Sequence, residues 1–268
     1  MPPRLVGLRD APRAVHGWID ALSALLWPSR CLVCREAGVA GRDLCPACAA
    51  ALPCNRSACV RCAIPLPGPV PGMPFDGERM VSVRTCGDCL SRPPPLTATH
   101  ATFVYGAPID GLLLRFKFHQ DLAAGRVLVQ RMLDAAGSLP GLGADDARAD
   151  ALIPIPLHRA RLRQRGYDQA LELARPLSRA LGIALRDDLL RRHRATQPQS
   201  SLDATQRRHN VRGAFVVSKR PADVGSLPAY VVLIDDVMTT GATLHAAAVA
   251  LHRAGVARVD AWVCARVP

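Results

Sequence analysis

Aromatic side chains are scarce in this 268-residue chain, at 4% of the total, which argues against a single-strand binder built mainly on base-stacking platforms. Lysine is scarcer still. Lys117 and Lys219 are the only two, so nearly all of the 34 basic residues are arginines; with 22 acids the net charge is +12. Arginine forks match phosphate oxygens bidentately, so phosphate-bearing partners are the first expectation. No uncharged apolar run reaches the ~18 residues that a membrane span needs. The N-terminus carries Asp10 and Asp20 among its arginines and lacks an apolar run before a small-residue cleavage site; the chain therefore reads as cytoplasmic. Gly-Lys-Ser/Thr is absent, which excludes a phosphate loop of the ATPase kind.

Hydrophobic residues make up 49%, and 23 prolines with 20 glycines stay below the ~25–30% that marks low-complexity chains. At ~150 residues per domain, one or two folded units are expected. Residues 1–27 form an N-terminal segment in which Trp18, Ile19, Leu22, Leu25 and Leu26 recur at helical spacing before Pro28. The expectation is a short amphipathic helix packed on the rest of the protein.

Nine of the ten cysteines lie between Cys31 and Cys89, and eight of them form four Cys-x-x-Cys pairs: Cys31/Cys34, Cys45/Cys48, Cys59/Cys62 and Cys86/Cys89. A two-residue spacer in a tight turn points both sulfurs at one tetrahedral ion, and thiols do not persist as structural disulfides in a reducing cytoplasm. Four pairs therefore suit two structural zinc ions. An iron–sulfur cluster or a redox Cys-x-x-Cys uses the same residues. The spacing allows either sequential pairing (Cys31, Cys34, Cys45 and Cys48 on one ion; Cys59, Cys62, Cys86 and Cys89 on the other) or a cross-braced arrangement. Bulky apolar residues are few here, so metal is expected to order the region. Cys54 and Cys264 stand outside the pairs and read as buried thiols.

Val231-Val232-Leu233-Ile234 is a continuous aliphatic run that reads as a strand buried on both faces of a parallel sheet. Asp235 and Asp236 follow at its carboxyl end, then Thr239, Thr240, Gly241, Ala242 and Thr243, then a small-residue helix over about 244–254. Ligands of open α/β sheets bind at the carboxyl ends of strands, where a helix N-terminus favours an anion. Gly241 lets the backbone approach a phosphate and the threonine hydroxyls add donors.

Upstream, residues 151–158 form a second apolar strand broken by Pro154 and Pro156. It runs into Arg159, Arg161, Arg163 and Arg165, then Gly166-Tyr167-Asp168-Gln169-Ala170 and a helix through about Leu181. Between His158 and Arg212 there are 13 arginines against 5 acids. A mobile basic loop here would meet the charge that develops on a departing diphosphate.

The segment from Val232 to Thr243 resembles the ribose-phosphate signature of type I phosphoribosyltransferases. That likeness implies that Asp235 and Asp236 hold ribose hydroxyls and that residues 239–243 hold the 5′-phosphate of phosphoribosyl diphosphate. Adding the cysteine pairs, the Arg165-Gly166-Tyr167-Asp168-Gln169 run, Arg207-x-x-Asn210 and the lysine-bearing segment Leu114-Arg115-Phe116-Lys117-Phe118-His119, the chain resembles the ComF family. Those proteins, also called GntX-like, join a zinc head to a phosphoribosyltransferase-like domain and are linked to DNA uptake in natural competence. The resemblance implies diphosphate-side roles for Lys117, Arg165, Arg194 and Arg207. Where the family usually has asparagine this chain has Asp168, which replaces an amide donor by an anion.

The expected organisation is a Cys-rich zinc-binding domain over 28–92, a linker at Pro93-Pro94-Pro95, and an α/β phosphoribosyltransferase-like domain over 97–268, with a parallel sheet flanked by helices. Residues 101–105 are expected as a cap strand, followed by a helix containing Lys117, and 141–150 as a loop. Two functions fit: a factor that binds phosphoribosyl diphosphate and handles single-stranded DNA with competence or DNA-processing proteins, or a Mg²⁺-dependent phosphoribosyltransferase with an unassigned acceptor. A zinc-dependent scaffold with a dead site is a third reading, opposed by the intact loop.

Overall fold

The computed structural model describes residues 30–38, 42–67, 84–137, 139, 141–142, 148–194, 211, 213–218 and 227–268. The amphipathic segment 1–27, Arg207 and Asn210 lie outside them. The chain divides into two compact units, Met1–Ala51 and Leu52–Pro268.

Among its described residues the first unit holds one short helix, α1 (Pro46–Ala50), with Cys45 as its N-cap. The second contains α2 (Gly87–Ser91), β1 (Thr99–Val104), α3 (Ile109–Phe118), α4 (Leu122–Ala136), β2 (Ala151–Pro154), α5 (Arg159–Arg165), α6 (Gln169–Leu181), β3 (Ala184–Leu185), β4 (Leu190–Arg192), β5 (Phe215–Val217), β6 (Tyr230–Met238), α7 (Ala242–Arg253) and β7 (Arg258–Arg266).

Five strands form one sheet in the order β1-β7-β6-β2-β3, and every pairing in it is parallel. β6 and β7 occupy its centre, which explains their near-continuous aliphatic sequences: both faces are covered by helices. Against these strands pack Ala247, Ala248 and Leu251 of α7, all fully buried. β4 and β5 make a separate antiparallel pair.

β1 is therefore an edge strand of the main sheet rather than the cap strand expected over 101–105. Its free edge is covered by the stretch from Pro53 to Val60. Cys54 bridges Phe103, Asn55 N–H donates to Thr102 O at 3.0 Å, and Val104 N–H donates to Pro53 O at 2.8 Å. Thr99 N–H donates to Val60 O at 2.7 Å, and Arg61 Nη1 donates to the carbonyls of Leu96 and Thr97, each at 3.1 Å. These bonds tie the second pair of cysteine turns to the α/β sheet within the second compact unit.

At the far end of the strands, buried Asp260 accepts from Ala98 N–H at 3.0 Å, Tyr230 O–H at 2.7 Å and Arg258 Nη2 at 2.8 Å. The Arg258 guanidinium also lies 4.1 Å from the Tyr230 ring centroid. A carboxylate 1% exposed is tolerable only because these donors satisfy it.

Candidate functional site

Two groups of four cysteines meet in space: Cys31, Cys34, Cys45 and Cys48 in the first unit, and Cys59, Cys62, Cys86 and Cys89 in the second. The pairing is sequential. Within each group the sulfurs all lie within 4.8 Å of one another, and Cys34–Cys45 and Cys62–Cys86 are each 3.7 Å apart. A tetrahedral ZnS₄ site with Zn–S near ~2.3 Å has edges of roughly 3.8 Å, so the sulfurs fit a zinc ion.

The two centres repeat one local design. Arg35 N–H donates to Cys31 O and Ala63 N–H to Cys59 O, both at 2.8 Å, closing equivalent turns. Arg35 and Ala63 both take positive φ, 68° and 55°, just after the second cysteine of the turn. The other pair of each centre opens a short helix, α1 after Cys45 and α2 after Cys86. Backbone N–H groups converge on the sulfurs, as Cys48 N–H does on Cys45 Sγ at 3.4 Å and Cys86 N–H on Cys59 Sγ at 3.3 Å. Burial opposes ionisation, yet such donors hold Cys31 down to about 6 and Cys59 down to about 7, while fellow cysteines push Cys48 up, and burial with fellow cysteines pushes Cys62 and Cys89 up.

Cys54 and Cys264 belong to neither group. Cys264 is buried, whereas Cys54 is exposed, contrary to the sequence expectation, because it sits on the outer strip that covers the β1 edge.

The second candidate site lies at the carboxyl end of β6. The strand continues through both acids to Met238, further than the aliphatic run suggests. Asp236 is buried and Lys117 Nζ of α3 lies 3.1 Å from its Oδ1. Asp236 N–H donates to Asp235 Oδ1 at 2.9 Å, and Val237 N–H to Asp236 Oδ1 at 2.6 Å. Burial, then the adjacent Asp236 charge, push the Asp235 carboxyl well above the usual carboxylate range. Neighbouring Cys264 on β7 is also pushed up, by burial and by Asp236.

Thr239 and Thr240 turn the chain, and Gly241 caps α7 with φ +75°. That left-handed conformation favours glycine here, and a Cβ would also press on the end of the Met238 side chain at 2.5 Å. Ala242 and Thr243 open the helix, with Ala242 N–H 3.4 Å from Thr240 Oγ1. The result is an acid pair beside a helix N-terminus, matching the carboxyl-end placement expected from the sequence.

Lys117 is carried there by aromatic packing. The Phe116 ring lies over Gly125 of α4, where a Cβ would come within 2.7 Å, and meets Tyr167 edge to face at 5.8 Å. Arg165 donates from Nη1 to Gln169 Oε1 at 3.0 Å, and its guanidinium sits 5.3 Å from the Phe118 ring centroid. Arg194 is exposed beyond β4. The arginine segment is not one loop: it is divided among α5, α6, β3 and β4, with residues 195–210 outside the described set.

Asp168 acts locally. As the N-cap of α6 it accepts Leu171 N–H on Oδ1 at 3.2 Å and Leu157 N–H on Oδ2 at 3.0 Å, fastening the turn after β2 to the helix. Residue-type reasoning passed over two others. Arg192 is 9% exposed and feels the charge of Asp235, although its sequence gave no sign of burial within a basic run. Tyr167 feels Asp236, and only its aromatic partner Phe116 in the lysine-bearing segment hinted at that.

Residues 22–90 match the double zinc ribbon domain family, and residues 168–268 match the phosphoribosyl transferase domain family. "Competence protein F" of Haemophilus influenzae is 33% identical over 190 residues, 68% of this chain and 78% of that protein. "DNA utilization protein YhgH" of Salmonella typhimurium is 32% identical over 240 residues, 88% of this chain and 89% of that one. The chain belongs to the ComF family. "DNA utilization protein YhgH" of Escherichia coli K12 is 30% identical over 243 residues, 88% of this chain and 89% of that protein. The ComF assignment explains the pairing of zinc ribbons with a parallel α/β sheet. Among the described residues, no helix is long and apolar enough to cross a membrane.

Proposed function

We propose that this ComF protein binds Mg²⁺-phosphoribosyl diphosphate at the carboxyl end of β6 and acts on single-stranded DNA in competence-type uptake. Asp235 and Asp236 accept the ribose hydroxyls, and residues 239–243 receive the 5′-phosphate. The observation that carries this reading is the Lys117–Asp236 pair beside Asp235. Two adjacent acids at a strand end repel one another unless a cation or a ligand's hydroxyls occupy them, and here an amine from a different element already does so. On ligand entry Lys117 is free to turn from the carboxylate to the diphosphate, joined by Arg165.

The nucleic-acid half of the reading draws on α5. It bears Arg159, Arg161, Arg163 and Arg165 in seven residues with no acid, and begins directly after the turn that follows β2. Phe118, 61% exposed under the Arg165 guanidinium, supplies the one feature that the low aromatic content argued against, a stacking face beside phosphate-binding groups. The names of the competence and DNA-utilization relatives support the same direction.

Calorimetric titration with Mg²⁺ and phosphoribosyl diphosphate tests the ligand. The wild type should bind, and Asp235→Asn/Asp236→Asn should bind at least tenfold more weakly while folded. Silence of the wild type would remove the ligand reading and leave DNA handling alone. Binding with turnover on a purine or pyrimidine acceptor would establish a phosphoribosyltransferase instead.

A further inference from the structure

Arg266 closes β7 at 7% exposure, deep for a guanidinium. A buried charge needs a partner. Nε donates to the carbonyl of Cys62 at 2.9 Å and Nη1 to that of Val267, and both acceptors are neutral. Among the described residues, no carboxylate forms an ion pair with Arg266. The Nε bond seats the guanidinium against Cys62, one of the four cysteines of the second centre. Four thiolates around Zn²⁺ carry a net charge of −2, so a cation held beside them is the charge the burial calls for.

The first centre has another environment. Cys31 and Cys45 are buried there and Cys48 is half-buried, but Cys34 is exposed. In the second centre Cys59 and Cys89 are buried and the remaining two are half-buried.

We infer that Arg266 is the built-in counter-charge of the second zinc centre, and that the two centres are unequal: the first yields its metal readily and the second holds it. The second centre also reaches the phosphate loop through this residue. Arg266 lies opposite Met238 in the β6–β7 register, and Val267 N–H donates to Met238 O at 2.9 Å, one residue before Thr239. A retained zinc thus braces the strand end from which the loop departs, while the first centre is not part of that unit.

A chelator challenge of the full zinc-loaded chain tests this, with released zinc followed by a chromogenic reporter and freed thiols trapped by alkylation for mass spectrometry. The wild type should release zinc in two phases, with Cys31, Cys34, Cys45 and Cys48 alkylated first. Arg266→Met should speed the slow phase at least tenfold, and Arg266→Lys, which keeps the charge, should stay close to wild type. Early alkylation of Cys59, Cys62, Cys86 and Cys89, or equal rates for both groups, in the wild type overturns the inference even if the methionine variant folds poorly. A slow phase unchanged in a folded Arg266→Met does the same.

Discussion

Lys117 and Asp236, 119 positions apart, form an ion pair of 3.1 Å at the carboxyl end of the central strand. The lysine is carried by α3 and the acid by β6, so the contact joins the helix layer to the sheet at the candidate ligand site. Lys117→Met should lower thermal stability by about 1–3 kcal/mol, because it leaves a buried carboxylate unpartnered. Asp236→Asn added to that variant should restore much of the loss. A double-mutant cycle by chemical denaturation checks this; purely additive effects would mean that the pair contributes nothing.

Asp235 has a folded-state pKa raised to about 8 by burial and the Asp236 charge. The folded state therefore holds a proton that the unfolded chain, near pKa ~3.9, gives up, and stability falls as pH rises through that window. Asp235→Asn removes the dependence. Its melting temperature should exceed that of wild type at pH 8.5 by more than at pH 5, and a constant difference would contradict the burial argument.

Asp168 uses one carboxylate oxygen for Leu171 N–H and the other for Leu157 N–H. Asparagine keeps one acceptor, and alanine keeps none. Urea unfolding should therefore rank wild type above Asp168→Asn above Asp168→Ala, with the alanine variant down by about 1–2 kcal/mol. Equal stability of all three would show that the cap is not engaged.

Removal of paired arginines from α5 should lower DNA affinity. For Arg159→Gln/Arg163→Gln the slope of log affinity against log salt should shrink by about 2, and Phe118→Ala should weaken binding without changing that slope. Fluorescence anisotropy with a labelled oligothymidylate measures both. An unchanged slope would place the DNA surface elsewhere.

Metal content offers a separate check. Elemental analysis should give about two zinc ions per chain, with a loss in Cys→Ser variants of either quartet and none in Cys54→Ser or Cys264→Ser. Iron in place of zinc would overturn the assignment.

The local designs were legible in the sequence. Four two-residue cysteine spacers announced the cysteine turns, and the Val231–Ile234 run followed by two acids and a Thr/Gly loop announced a buried strand, a turn and a helix, because such features depend on neighbours in the chain. What depends on distant packing was not legible. Nothing in the sequence of 53–61 says that it covers the edge of β1, so Cys54 was expected inside. Arg192 sits in a run that reads as solvated, and only tertiary packing buries it near Asp235. Arg266 likewise looks like a terminal surface cation until β7 brings it beside Cys62.

The central claim is that Asp235 and Asp236 recognise ribose hydroxyls above the phosphate loop. Calorimetric comparison of ribose 5-phosphate with 2-deoxyribose 5-phosphate tests it most directly, since the two differ only in one of the hydroxyls that the acids would bind. The account predicts at least tenfold tighter binding of the ribose form to wild type and no preference in Asp235→Asn/Asp236→Asn. Equal affinity of wild type for both sugars would contradict it.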